Sequence, residues 1–351
     1  MSRLTKNVTL SQVAREAGVS PATASRALSN SDHKVNEDTR RHIFETAKRL
    51  GYKVNPIARA LRRSVTGTIG MVVPSLENPF FTELVSAVEH VLAQQNLNLF
   101  LSDSRNDLET EAQRLRAFTD GSVDGVLISP CDSTGSLQAV ATTSKRVPLV
   151  QLDRRVDDLA CPWVGIDDAA AMNDIFAHLS SIGATSAALI TSTGSNSSAR
   201  DRTDFALRSA ASYGITLRPE HLLDGEFSVA WGATAVDRLL GMDTPLPDAL
   251  VCTDDIQALG AMSRLRTHGL RIPQDVFITG FDDIVFSSLV DPTITTIKQP
   301  VDQMAESAVA LLAETDEERD TRLTFPGQLI VRGTTRSSEK TASATGPTGR
   351  K

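Results

Sequence analysis

The chain has 351 residues, of which 40% are hydrophobic and 23% charged, with a formal net charge of −7 at pH 7, as expected for a globular protein of two or three domains. It has no uncharged apolar run of about 18 residues and no apolar leader at its start, which excludes a membrane span and a signal peptide and predicts a cytoplasmic protein. Cys131, Cys161 and Cys252 are far apart in sequence, so we expect reduced, buried thiols and neither disulfides nor a metal site.

The charge is divided unevenly along the chain. Residues 1–66 contain 13 lysines and arginines against 5 acidic residues, whereas the remainder contains 23 against 38. A basic block on an acidic body is typical of a headpiece that binds nucleic acid, because Lys and Arg neutralise phosphates. An ordinary solvated surface is the alternative, and the motif in the same block argues against it.

The first predicted helix begins at Thr9, because Thr9 and Gln12 have the spacing of a capping box. Gly18 ends this helix, since glycine adopts a positive φ without steric cost. One face of the helix is apolar at helical spacing, and it consists of Leu10, Val13, Ala14 and Ala17.

The second predicted helix, Pro21–Ser29, is capped by Ser20 and has proline at its first position. Its exposed face carries small side chains and one long cation, Arg26, which suits a helix that lies against a flat, polar partner. A third helix runs from the Asn36 cap to Gly51. Two short helices joined at a glycine turn form a helix-turn-helix, whose second helix enters the major groove of DNA.

The second helix supplies side chains suited to base and phosphate contacts. Arg26 can donate to guanine O6 and N7, and Ala22 can contact a thymine methyl group. The hydroxyls nearby and a histidine suit phosphates, which fix register without reading sequence. The DNA-binding residues that we predict in the headpiece are Thr9, Ser20, Pro21, Ala22, Thr23, Ser25, Arg26, Asn30 and His33.

A separate basic helical start follows at Asn55-Pro56 and continues to Arg63. The segment is short and weakly hydrophobic, and an isolated helix of this kind is marginal in water. We expect it to form when two copies pack together on DNA.

Beyond Thr68 the pattern changes to short apolar strands that alternate with helices, which predicts doubly wound parallel sheets. The pattern restarts near Ser186, and two consecutive sheets imply two lobes with a cleft between them. The predicted strands are 69–73, 97–102, 123–129, 148–152, 187–191, 249–252 and 276–279. The predicted helices are 79–95, 108–119, near 198–214, 229–241 and 255–268, and 301–313.

Polar and aromatic side chains follow the carboxyl ends of these strands, where ligands of such sheets bind. Asn78 to Phe81 follow the first strand, Asp103 the second and Asp153-Arg154 the fourth, with Asp254-Asp255 and Phe281 to Asp283 in the second lobe. Carboxylates accept from hydroxyls and aromatic rings cover apolar sugar or base faces. The mixture predicts a polyhydroxylated ligand, although carboxylates at strand ends also cap helices.

The stretch VTLSQVAREAGVSPATASRALSN, Val8 to Asn30, resembles the headpiece of the lactose-repressor (LacI/GalR) family. Ala24 departs from the valine usual there, which we expect to loosen packing slightly. Residues 67–336 resemble the family's body, through GTIGMVVPSLENPFF, VQLDRR, DIQALGA, GFDD and PTITTIKQP. The resemblance implies two-lobed, periplasmic-binding-protein-like (type I) α/β sheets after an all-α headpiece.

The family resemblance also implies roles for individual residues. Segment 55–66 matches the hinge helix, in which Asn55, Ala58 and Leu61 are DNA-binding and Leu61 wedges into the minor groove; packing on the headpiece core is its alternative. The family's ligand positions fall on Phe80, Phe81, Asp153, Arg202, Phe227, Asp254 and Asp282, to which the strand-end pattern adds Asp103. After the ligand arginine the family usually has Gly-Phe, whereas here Thr203-Asp204 follows Arg202 and precedes Phe205, which is expected to reshape the cleft wall near Arg202.

The expected organisation is a headpiece (1–54), a hinge (55–66), a first lobe (67–166 and 298–326), a second lobe (167–297 and 327–336) and a disordered tail (337–351). The tail lacks a leucine heptad, which favours a dimer over a four-chain assembly.

The expected function is that of a repressor that binds a palindromic double-stranded operator as a homodimer and senses a sugar or nucleoside. A regulator controlled by a protein partner and a sugar-transport protein are the alternatives, and the missing leader and basic headpiece disfavour transport. Catalytic motifs are missing, so we expect no enzyme, no cofactor and no metal.

Overall fold

The computed structural model describes residues 8–28, 35–52, 65–314 and 320–336. It divides into two compact units. Met1–Gly67 contains the predicted headpiece and hinge and is called the headpiece from here on, and Thr68–Lys351 is called the body. The predicted hinge residues 55–64 and the tail 337–351 lie outside the described residues.

In its described residues, 8–28 and 35–52, the headpiece has three helices around a small apolar core. They are α1 (Leu10–Glu16), α2 (Pro21–Leu28) and α3 (Glu37–Leu50). The capping box of Thr9 and the cap of Asn36 are present as predicted, and Gly18 and Gly51 have positive φ values of 64° and 70°. The fully buried side chains of its core are Val13, Ala14, Ala24, Ala27 and Ile43.

The first lobe of the body contains a six-stranded parallel sheet of order β11-β5-β4-β3-β1-β2. Its strands are β1 (Thr68–Val73), β2 (Asn98–Asp103), β3 (Gly125–Ile128), β4 (Leu149–Leu152), β5 (Trp163–Ile166) and β11 (Arg322–Phe325). One face is covered by α4 (Pro79–Gln94) and α11 (Val301–Ala313), and the other by α5 (Leu108–Phe118) and α6 (Leu137–Ser144).

The second lobe contains a four-stranded parallel sheet of order β7-β6-β8-β9. Its strands are β6 (Ser186–Ser192), β7 (Thr216–Gly225), β8 (Ala249–Cys252) and β9 (Phe277–Thr279). The helices on its two faces are α7 (Asp168–Ser181), α8 (Ser197–Ser212), α9 (Val229–Leu240) and α10 (Asp255–Thr267). Helices α9 and α10 touch at glycine, since a Cβ on Gly232 would lie 2.0 Å from the Gln257 carbonyl.

The chain crosses between the lobes after β5, near β10 (Thr296–Lys298) and after β11. Strand β10 pairs antiparallel with β12 (Gln328–Ile330). As predicted, 292–300 carries the chain back to the first lobe, because Thr295 bridges to Thr279 and α11 then packs on the first sheet. Every parallel strand of both sheets ends toward the same cleft, which is where this topology binds ligands.

The three cysteines are free and buried, as expected from their scatter in the sequence. Burial is the main reason that the pKa of Cys131 and that of Cys161 are raised to about 12. These thiols are therefore unreactive components of the core.

Candidate functional site

The exposed face of α2 is the candidate nucleic-acid surface of the headpiece. Ala24 and Ala27 are buried on the opposite side of the helix. Ser20, Pro21, Ala22 and Arg26 are exposed, and Thr23 and Ser25 are half-buried beside them. The face therefore has little bulk apart from one guanidinium, which fits the wall of a DNA groove.

Two of the predicted DNA-binding residues also cap helices. The Gln12 amide donates to Thr9 Oγ1 at 3.3 Å, and the Thr9 amide donates to Gln12 Oε1 at 2.8 Å. The Thr23 amide donates to Ser20 Oγ at 3.0 Å. These bonds fix the starts of α1 and α2. Asn30, His33, Asn55, Ala58 and Leu61 lie outside the described residues.

The candidate effector site lies between the lobes of the body. Its innermost part is a void of about 10 Å³, which has room for about one water molecule. Seven of the eight predicted effector residues line it: Phe80, Phe81, Asp153, Arg202, Phe227, Asp254 and Asp282. Asn78, Arg154 and Ser198 complete the lining. We call these ten residues the inner pocket.

Two residues that were expected in the cleft wall line neither cavity. The Asp103 carboxylate accepts from the Arg105 amide at 2.7 Å, while Arg105 and Asn106 beside it line the larger cavity, so the role of Asp103 stays a prediction. Phe205 is not part of the cleft wall, because it packs against the core of the second lobe beneath the Arg208 guanidinium. The cleft wall near Arg202 is therefore not reshaped by that ring.

Arg202, on α8, is held by several contacts within the second lobe. Its Nε donates to Asp168 Oδ1 at 3.0 Å, and its Nη1 donates to the Thr253 carbonyl at 2.8 Å. Its guanidinium lies 3.6 Å from the centroid of the Phe281 ring, and Asp282 is 3.7 Å away. Asp168 thus neutralises Arg202 from behind the pocket, and sequence reasoning did not identify it.

The inner pocket buries more negative than positive charge. Beyond the Arg202–Asp168 pair, three lining carboxylates, those of Asp153, Asp254 and Asp282, face one further cation, Arg154. Burial raises the pKa of Asp168 and that of Asp254 to about 6, and it raises the pKa of Asp153 and of Asp282 as well. The common cause is loss of hydration, which disfavours the ionised carboxylate.

Arg154 lies between two aromatic rings, one from each lobe. Its guanidinium carbon is 5.3 Å from the centroid of the Phe81 ring and 5.4 Å from that of Phe227. The residue is 5% exposed, and its Nε has no hydrogen-bond partner. Asp153, its neighbour, accepts a long bond of 3.4 Å from Ser129, and Arg154 Nε is 4.0 Å from Asp153 Oδ2.

Asp254 serves as a helix cap and as a pocket residue at once. Its Oδ1 accepts from the Ile256 amide at 2.6 Å, which caps α10. Its Oδ2 accepts from Asn78 Nδ2 of the first lobe at 2.7 Å. The two roles that strand-end carboxylates have in proteins therefore coincide here, and Asn78 joins the lobes at the pocket.

A larger cavity of about 670 Å³ opens outward from the inner pocket, within the range of small-molecule sites. Asn78, Phe81, Arg154 and Phe227 line both cavities. The loop after β6 lines this cavity through Ser192, Thr193, Ser195 and Asn196. Within the described ranges, no cluster of His, Cys, Asp or Glu could hold a metal ion, and no helix is long and apolar enough to cross a membrane.

Two family models match the chain. Residues 9–55 match the bacterial regulatory proteins of the lacI family, and residues 176–335 match the periplasmic binding protein-like domain. The first match covers the helix-turn-helix, and the second covers most of the second lobe with the last crossings between the lobes.

Curated relatives match over nearly the whole length. The HTH-type transcriptional repressor PurR of Aliivibrio fischeri (strain MJ11) is 32% identical over 314 residues, which cover 89% of this chain and 93% of PurR. The HTH-type transcriptional repressor CytR of Escherichia coli (strain K12) is 30% identical over 337 residues, covering 94% and 96%. Both are regulators and not enzymes.

A solved structure of the Lac repressor dimer, bound to operator and the anti-inducer ONPF, superposes with a TM-score of 0.84. It is 26% identical in sequence, and the match covers 95% of this chain and 100% of the repressor chain. The headpiece, the two-lobed body and these relatives agree: the chain belongs to the lacI family of bacterial regulatory proteins and is a ligand-responsive transcriptional repressor.

Proposed function

We propose that this repressor works in the cytoplasm, binds a near-palindromic operator as a homodimer and senses an uncharged, polyhydroxylated molecule, a sugar or nucleoside, between its lobes. The arrangement of Asp153 and Arg154 carries the effector part of the proposal. The exposed face of α2 carries the DNA part.

On the operator, each headpiece reads one half-site. Arg26 donates to guanine and Ala22 contacts a thymine methyl group, while Thr9, Ser20 and the neighbouring hydroxyls bind phosphates. The exposure of Ala22 and Arg26, with Ala24 buried behind them, supports this division.

At the operator centre, paired hinge segments kink the duplex through Leu61, with Asn55 and Ala58 beside it. An apolar wedge unstacks a base step at a cost of a few kcal/mol, which specific contacts offset. Leu61→Ala is expected to weaken operator binding far more than binding to unrelated DNA. Equal losses on both DNAs, measured by fluorescence anisotropy, would contradict the wedge.

The effector class follows from two polar groups that lie side by side. Asp153 accepts a long hydrogen bond of 3.4 Å from Ser129, and Arg154 Nε lacks an acceptor. A hydroxyl placed between them donates to the carboxylate and accepts from the guanidinium, so it satisfies both. An ammonium group cannot accept from Arg154, and a phosphate or carboxylate cannot donate to Asp153.

The balance of buried charge in the inner pocket also favours an uncharged effector. Asp153, Asp254 and Asp282, with Asp168 behind them, outnumber the two guanidinium groups of Arg154 and Arg202, and the three lining carboxylates are at most 6% exposed. An anionic effector would add like charge where hydration is already lost. Phe81 and Phe227, now on either side of Arg154, are suited to covering the apolar faces of a sugar ring.

Exposed apolar side chains support a homodimer. Val285, Phe286 and Leu289, on the short 3₁₀ helix after β9 and next to it, are 61%, 47% and 71% exposed. On the edge strand β2, Phe100 is 56% exposed. Large apolar side chains exposed to this degree are candidates for an interface between two copies of the chain.

The regulatory step is a population shift. The effector favours one angle between the lobes, taken as 67–166 with 298–326 and 167–297 with 327–336, and that angle stabilises or melts the hinge segments. The size of the response is limited by the difference between the effector's affinities for the two states.

Calorimetric titration of the full chain tests the effector class with matched compounds: D-ribose and ribose phosphate, D-glucose, glucuronate and glucosamine, adenosine and adenosine monophosphate. A neutral compound is expected to bind at least about 100-fold more tightly than its charged analogue, the factor for a buried polar mismatch. A charged analogue that binds equally well would contradict the class. If none of these compounds gives a heat of binding and a pull-down retains a cytoplasmic protein, the repressor is controlled by a protein partner and not by a small effector.

A further inference from the structure

Four charged residues form crossed ion pairs between the lobes, outside the inner pocket. Arg155 and Asp157 follow β4 in the first lobe, and Arg200 and Asp201 lie in the first turns of α8 in the second. Arg155 Nη2 is 2.6 Å from Asp201 Oδ2. Arg200 donates to both oxygens of Asp157, at 2.8 and 3.0 Å. We call these residues the ion-pair quartet.

The quartet has features that surface ion pairs usually lack. Its side chains are between 16% and 36% exposed, and the Arg200–Asp157 pair is bidentate. The Arg155 guanidinium is also held 4.6 Å from the centroid of the Trp163 ring, within the first lobe. Partial burial and fixed geometry make such pairs stronger than isolated exposed ones.

Two backbone contacts cross the cleft at the same rim. The Ser133 amide donates to the Ser195 carbonyl at 2.7 Å, and the Arg155 amide donates to Ser197 Oγ at 3.0 Å. Each amide loses its acceptor if the lobes separate. Their hydrogen exchange therefore reports opening of this rim without any ligand.

The quartet sits on the two segments that supply the effector contacts. Asp153 and Arg154 immediately precede Arg155, and Ser198 and Arg202 flank Arg200 and Asp201 on α8. None of the four lines either cavity. Pairing across the quartet brings the two halves of the site together while leaving the site itself open to ligand.

We propose that the ion-pair quartet is an electrostatic latch that holds the lobes closed and thereby positions the two halves of the effector site. Its members are positioning residues, and their influence on effector affinity rests on the function proposed above. Their effect on lobe closure does not rest on that function, because it is present in the ligand-free chain.

Charge reversal tests the latch. Arg200→Asp or Asp157→Arg alone places like charges across the rim and should speed exchange of the Ser133 and Arg155 amides by about fivefold or more, the factor for one such pair. The double variant Arg200→Asp/Asp157→Arg restores the opposite-charge pair across the rim beside the unaltered Arg155–Asp201 pair and should restore slow exchange. It does not restore the 3.4 Å contact of Arg200 with Asp201 within α8, so exchange should return close to that of the unaltered chain and need not match it. If the double variant recovers slow exchange, the single variants act by disrupting the charge pairing and not by impairing folding.

The matched control is Arg264→Asp/Asp237→Arg with its two single variants, an exposed pair 2.6 Å apart within the second lobe. These should leave both amides unchanged. Exchange that is unaffected by the latch variants, or a double variant that fails to rescue, would overturn the latch. The same variants titrated with D-ribose, D-glucose and adenosine should bind several-fold more weakly; if exchange responds but none of these compounds binds the unaltered chain, the latch stands and the effector proposal fails.

Discussion

The headpiece and the inner pocket use charge in opposite ways. On α2 the Arg26 side chain stands at the surface among small residues, whereas the pocket buries the carboxylates of Asp153, Asp254 and Asp282 with two guanidinium groups. Surface charge is screened by salt and costs the fold little. Buried charge destabilises the empty protein and is relieved by a partner that supplies the missing hydrogen bonds.

The comparison indicates two kinds of recognition in one chain. The helix face recruits a polyanion over a long range, and its affinity should fall steeply with salt. The pocket selects a small molecule by hydrogen-bond complementarity, and its affinity should be nearly independent of salt. Substitutions in each region sharpen or break this contrast.

The largest effect is expected for Asp153→Asn. The amide loses a charge-assisted bond from the effector and presents a donor toward Arg154, so affinity for whichever neutral compound binds should fall about 100-fold. Operator affinity in the absence of effector should not change. Asp103→Asn, at the edge of the same sheet, is the matched control and should bind normally; equal losses in both variants would remove Asp153 from the site.

Arg26→Ala should weaken operator binding by about 1–3 kcal/mol and relax the base preference at one position of each half-site. Calorimetry should find effector binding unchanged, because the substitution is in the other unit of the chain. Unchanged affinity for the operator would exclude Arg26 from base reading.

Asp254→Asn should change how the stability of the body depends on pH. Burial raises the pKa of Asp254 from 3.8 to about 6, so the folded state keeps a proton that the unfolded state loses. The free energy of unfolding of the unaltered chain therefore falls as pH rises from about 4 to 6, and the penalty is complete above that range. Relative to the unaltered chain, the asparagine variant should gain about 1–3 kcal/mol between pH 4 and pH 8, on top of a pH-independent loss because one oxygen replaces the two that accept from Ile256 and Asn78. If denaturant titrations give a difference in the free energy of unfolding between the two chains that does not vary with pH, Asp254 does not carry a buried charge in the folded state.

Thr9→Ala should have the smallest effect, a loss of about 1 kcal/mol in headpiece stability, because the cap of α1 is removed. Ser11→Ala, exposed on the same helix, is the control and should be nearly neutral. Thermal unfolding monitored by circular dichroism measures both, and equal shifts would indicate that the cap contributes little.

Elements with strong local signals were predicted from the sequence. The capping residues Thr9 and Asn36, the glycine ends of α1 and α3, and the buried strand β8 occur where the pattern places them. Strand β7 was missed, because it contains Pro219 and alternating charges and lies at the edge of its sheet. Strands β10, β11 and β12 are three or four residues long and pair with distant segments, which leaves no local signal.

The site could be predicted where residues follow central strands. Asp153 and Asp282 stand at strand ends and have positive φ values of 68° and 106°, which turn their carboxylates into the cleft. Asp103 obeys the same sequence rule, but its strand lies at the edge. The position of Arg154 between two rings depends on how the lobes meet, and the support of Arg202 by Asp168 depends on how α7 and α8 pack within the second lobe. The sequence of one strand encodes neither.

The most direct test of the central claim is operator binding by the full chain on its own upstream promoter DNA, followed by fluorescence anisotropy with and without the neutral sugars and nucleosides. We expect specific binding whose affinity falls as the salt concentration rises. One neutral compound should weaken or strengthen this binding through its contacts with Asp153 and Arg154. Absence of specific binding on that DNA, or a specific complex that responds only to a phosphorylated or acidic compound, would contradict it.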